Sequence, residues 1–101
     1  MNEGMLQELG VVREQIDAID AQMLALLNQR ARCAKHVGEI KARYGDAGYI
    51  YRPEREAQVL RNMAAKNAGP LLNEDIQLIF REVMSACRAL ERRVVVAFLG
   101  P

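Results

Sequence analysis

The sequence predicts an all-α chain of three helices, the first much longer than the other two. Three observations carry this. From Val12 the apolar residues Val12, Ile16, Ile19, Met23 and Leu26, then Cys33, Val37 and Ile40, follow steps of four and three residues. That is the spacing of one face of a long amphipathic helix with a coiled-coil-like seam. Two breaks rich in glycine, around Gly45 to Gly48 and at Gly69-Pro70, interrupt the helical pattern. Beyond each break the chain carries the chemistry of a new helix start.

Helix 1 is expected from Gly4 or Leu6 to Arg43, with Gly45 and Asp46-Ala47-Gly48 forming the turn after Tyr44. Pro53 suits the first turn of helix 2, where its missing N–H would have no helical partner, and Glu54 and Glu56 suit the positive end of the dipole. Helix 2 is expected to run to about Asn67. Asn73, followed by Glu74 and Asp75, reads as the N-cap of helix 3, which carries Ile76, Phe80, Val83, Cys87 and Leu90 on one face. From Val94 to Pro101 the composition turns β-branched and aromatic, so a strand is expected there. A lone strand needs a sheet, and the segment therefore reads as the start of a second domain: residues 1–93 form the helical domain and 94–101 open the next.

At 101 residues, half of them apolar and 27% charged, the composition is that of a globular domain. An extended helical chain this short buries little core alone, so a partner chain is expected to supply the rest. Fourteen Lys and Arg against thirteen Asp and Glu give no field that would recruit nucleic acid or an anionic membrane. Cys33 and Cys87 form neither a disulfide framework nor a CxxC motif and read as free thiols. The start carries no signal-peptide pattern and no apolar run is long enough to span a bilayer, so a soluble, cytoplasmic protein is expected.

Several charged residues stand at borders of apolar faces. Arg30 occupies a seam position between Leu26 and Cys33. A guanidinium there either pairs with a core acid, snorkels to solvent, or forms a fork for a ligand carboxylate. Lys41 follows Arg30 by eleven residues, so the two share a side of the helix with α-carbons about 16 Å apart. It is either a ligand-directed cation or a solvated lysine at the helix end. Arg13 is about 26 Å from Arg30 and rotated by about 100°. One small ligand cannot touch both, so if Arg13 shares such a site it comes from a second copy; otherwise it pairs with surface acids. Arg55 and Glu56 open helix 2, with Glu56 on the face of Leu60 and Met63. Glu91 follows Cys87 by one turn, beside the apolar face of helix 3, and is either a neutral acid there or a solvated carboxylate paired with Arg88 or Arg92.

His36 is the only histidine, with no second histidine and no CxxC pair to complete a ligand set, so no metal site is expected. No G-x-S-x-G, P-loop or GxGxxG occurs, and no cofactor is expected. Guanidinium, ammonium and carboxyl groups without a nucleophile suit a reaction driven by holding an anion and stabilising its developing charge.

The run from Val12 to Arg30, the segment Val37-Gly38-Glu39-Ile40-Lys41 and the segment Tyr51-Arg52-Pro53-Glu54-Arg55-Glu56 resemble the all-helical chorismate mutases, over roughly residues 6 to 92. The tail Val95 to Pro101 resembles the opening strand of prephenate dehydratase, which follows the mutase in bifunctional enzymes of phenylalanine biosynthesis. The resemblance implies an intertwined homodimer of three-helix chains whose two active sites are shared, and chorismate as substrate. It implies that Arg30 and Arg13 of the partner subunit grip the substrate carboxylates. Lys41 would contact a carboxylate and the breaking ether oxygen, Glu56 the ring hydroxyl, and Arg55 the neighbouring part of the site.

Arg52 stands where the family often has Asp, so only a backbone contact carries over. Cys87 stands in place of Ser and Glu91 in place of Gln. The implied reaction, chorismate to prephenate, is an intramolecular [3,3] rearrangement that needs no protein nucleophile. Lys41 and Glu91 are its natural donors, Glu91 as a neutral acid whose loss of a proton lowers activity as pH rises. Isochorismate-pyruvate lyase shares the fold and a similar cation set, although the dehydratase-like tail opposes it. A helical dimerisation module without an active site is the reading from another class.

Overall fold

A computed structural model describes residues 2–45 and 52–99. It contains three helices, α1 (Glu3–Arg43), α2 (Pro53–Lys66) and α3 (Asn73–Leu99), and no strand among the described residues. The predicted turn at Asp46-Ala47-Gly48 and the closing Gly100-Pro101 lie outside them. The chain divides into two compact units, Met1–Arg30 and Ala31–Pro101.

The first unit consists of the leading part of α1. Asn2 caps it: its Oδ1 accepts from the Met5 N–H at 2.7 Å and its carbonyl accepts from the Leu6 N–H at 3.1 Å, which pairs N–H groups of the first turn that lack helical partners. The helix therefore begins slightly before the expected Gly4. Its seam has nothing to pack on within the unit: Val12, Ile16, Ile19, Met23 and Leu26 are between 48% and 63% exposed.

The second unit holds the end of α1 together with α2 and α3. Its buried apolar side chains are Ala42, Met84, Cys87 and Val95, with Glu91 buried among them. Gly45, at φ +69°, ends α1 in the left-handed conformation that glycine adopts without steric cost, and its N–H bonds the Ala42 carbonyl at 3.2 Å. Pro53 opens α2 as the sequence implied, after Arg52 at the cap position. Asn67 organises the passage from α2 to α3. Its N–H donates to the Met63 carbonyl at 2.9 Å, its Nδ2 donates to the Leu71 carbonyl at 2.8 Å and to Asn73 Oδ1 at 2.7 Å, and its Oδ1 accepts from the Gly69 N–H at 3.0 Å. Asn73 is thereby engaged by Asn67, and α3 starts at Asn73 with the Leu72 carbonyl accepting from the Asp75 and Ile76 N–H groups, both at 3.1 Å.

The strand expected from Val94 is not formed: α3 continues through Leu99. The buried positions Met84, Cys87, Glu91 and Val95 are spaced three, four and four residues apart, so Val95 extends the same helical stripe. A valine in a helix costs at most about 0.7 kcal/mol relative to alanine. Burying its side chain returns about 1.5–3 kcal/mol, and Val95 is only 3% exposed. Packing outweighs β propensity where no neighbouring strand is available.

Candidate active site

The end of α1 meets α3 at Gly38. A Cβ at this position would lie 3.0 Å from the Glu91 carbonyl oxygen and 3.2 Å from Val94 Cγ1. A backbone oxygen inside a helix cannot retreat without moving the helix. A side chain here would push the two helices apart by a few tenths of an ångström, and Lys41, nearly one turn further along α1, shares the face that Gly38 brings against α3. Lys41 Nζ donates to Glu91 Oε1 at 2.5 Å, with the two side chains 14% and 10% exposed. The solvated-lysine role considered for Lys41 is thus excluded, as is a solvated Glu91 paired with Arg88 or Arg92. Glu91 is buried because it continues the core stripe of α3, and a buried carboxylate requires a charged partner of this kind.

A second ion pair stands beside the first. Arg88 Nη1 donates to both carboxylate oxygens of Glu56. Arg88 lies three residues before Glu91 and therefore on the same side of α3. One pair joins α3 to α1 and the other joins α3 to the first turn of α2. Cys87 is buried on α3 one turn before Glu91.

Of the other residues singled out by sequence, Arg52 and Arg55 are exposed at the start of α2, and Arg55 Nη1 donates to Gln58 Oε1 at 3.3 Å. Arg13 is exposed on α1, and Arg30 is half-buried where the first unit ends. The structure thus brings together Lys41 with Glu91 and adds Arg88 to Glu56. Arg88 and Gly38 were missed as site residues. Arg88 borders the apolar face of α3 one turn before Glu91, which was the available signal; Gly38 carried none, since its role depends on where α3 lies.

Residues 12–92 match the family model described as chorismate mutase type II. The chain belongs to the chorismate mutase type II family. It is 46% identical over 97 residues to a bifunctional chorismate mutase/prephenate dehydratase of Pseudomonas aeruginosa, covering 93% of this chain and 27% of that protein. A bifunctional enzyme of the same name from Neisseria gonorrhoeae is 51% identical over 89 residues, covering 88% of this chain and 24% of its own length. The chain thus spans about a quarter of the length of these relatives. Among solved structures, chorismate mutase (form II) from Thermus thermophilus superposes with a TM-score of 0.79 at 30% identity, over 85% of this chain and 96% of that one. The all-helical, three-helix fold is therefore that of a chorismate mutase. No helix among the described residues is long and apolar enough to cross a membrane.

Proposed function

We propose that this chain is a chorismate mutase that converts chorismate to prephenate, and that it does so as a homodimer with two shared active sites. The observation that carries the reading is the buried Lys41–Glu91 pair, a charge-bearing donor in a family whose reaction builds charge on an ether oxygen. In the rearrangement the ether C–O bond breaks as a C–C bond forms at the other end of the same molecule. No atom enters or leaves, so the protein's work is to select the compact conformer and to stabilise the developing charge.

Lys41 has three ammonium donors, which suits it to a substrate carboxylate and the ether oxygen together. Glu91 can donate to that oxygen only when protonated, because a carboxylate solely accepts. Arg30 and Arg13 of the partner subunit grip the carboxylates, Glu56 accepts from the ring hydroxyl, and Arg55, the Arg52 backbone and Cys87 complete the contacts. The dimer is supported by the exposed α1 seam, which a second copy of the same seam would cover, and by the slight core of one chain. The match to bifunctional relatives supports a parent in which a prephenate dehydratase domain follows the mutase domain and the protein works in the cytoplasm, although α3 carries the helical domain past the expected boundary at residue 93 to Leu99.

Expression in a bacterial strain lacking chorismate mutase tests the reading in vivo. Growth without phenylalanine and tyrosine is expected for the chain itself. Growth that persists with Arg30→Leu and Lys41→Leu combined would instead favour a dimerisation module, to which those cations are dispensable.

A further inference from the structure

We propose that Arg88 is a positioning residue, fixing the Glu56 carboxylate as the acceptor for the substrate's ring hydroxyl; this deepens the mutase reading and rests on its placement of Glu56. A glutamate at the start of a helix has several accessible rotamers, and a ligand that meets it unfixed must order it on binding. Here one guanidinium nitrogen bonds both carboxylate oxygens, which sets the orientation of the carboxylate before any ligand arrives. The arrangement does not exhaust the acceptor. Two carboxylate oxygens offer about four lone-pair sites, so a hydroxyl can still donate to Glu56 while Arg88 holds it.

Exposure fits the same role. The Arg88 and Glu56 side chains are 28% and 21% exposed, sheltered enough to limit competition from water yet open to a ligand. Arg88 also shares a side of α3 with Glu91, so the residue that holds Glu56 and the residue that pairs with Lys41 are set by one rigid helix. Register on α3 thereby ties the hydroxyl acceptor to the groups assigned to the ether oxygen.

The test is steady-state kinetics with chorismate for Arg88→Leu and Arg88→Lys, alone and combined with Glu56→Gln, alongside the melting temperature of each protein. A contact made equally in ground and transition states changes KM rather than kcat. Arg88→Leu is therefore expected to raise KM about tenfold, the worth of one modest hydrogen bond, with kcat within about twofold. Arg88→Lys should recover most of that loss, and in the Glu56→Gln background Arg88→Leu should add less than about twofold. If the Leu variant fails to fold, Arg88→Gln is read in the same way. An unchanged KM, or a rise of equal size in the Glu56→Gln background, overturns the proposal: the first makes the ion pair merely structural and the second makes Arg88 a direct substrate contact. A wild-type chain that leaves chorismate intact instead removes the mutase reading, and this proposal with it.

Discussion

Replacing Glu91 by Gln exchanges a buried carboxylate for an amide of nearly the same shape, and the exchange should raise activity. Glu91 Oε1 sits 2.5 Å from Lys41 Nζ, and both side chains are nearly enclosed. A substrate carboxylate sharing the same ammonium would lie about 5 Å from an ionised Glu91, and two like charges at that separation repel by about 3 kcal/mol at an effective dielectric constant near 20. That is about a 10²-fold penalty. The amide of Glu91→Gln avoids it and gains a donor for the ether oxygen. Its kcat/KM is therefore expected to exceed wild type by up to about 10²-fold.

The assay is kcat/KM for chorismate at near-neutral pH, run below the melting temperature of both proteins. The control matters because losing a hydrogen bond to a charged group costs about 1.5–3 kcal/mol of stability. A Gln variant no faster than wild type would refute the repulsion assigned to Glu91.

Lys41→Ala should lower turnover by at least about 10²-fold. It should also cost about 3–5 kcal/mol by leaving the Glu91 charge buried alone, a loss visible as a melting point lower by more than about 10 °C. Adding Glu91→Gln should restore much of that stability but none of the activity. Arg13→Ala and Arg30→Ala lie about 26 Å apart on one helix and should each be inactive. After subunit exchange, half the dimers are mixed and each holds one intact site, so activity should return to about a quarter of wild type; none despite proven exchange would end the shared-site model. Deleting residues 94–101 removes no proposed site residue but exposes the contacts of buried Val95. Melting should drop by at least about 5 °C while kcat at low temperature stays near normal; unchanged melting would mean that this end of α3 contributes no packing.

The helix pattern was legible because its signals are local. The seam from Val12 to Ile40, Gly45 and Pro53 each act within a turn of where they stand, and α1 and α2 begin and end within a few residues of expectation. The error at Val94 has the opposite origin: composition favours a strand, but the outcome was set by the α3 stripe running on to Val95. The charged residues were legible only as a set. Sequence placed Glu91 beside an apolar face without revealing which cation it meets, because Lys41 is fifty residues away in the chain and reaches it only where Gly38 lets two helices close. Arg88 was legible as a nearby cation, but its attachment to Glu56 depends on the placement of α2 against α3.

Incubating the purified chain with chorismate alone and identifying the product decides whether this chain is a mutase. Prephenate is expected, formed catalytically without metal or added cofactor and lost in the Arg30→Ala variant. Chorismate that disappears no faster than in buffer would contradict it.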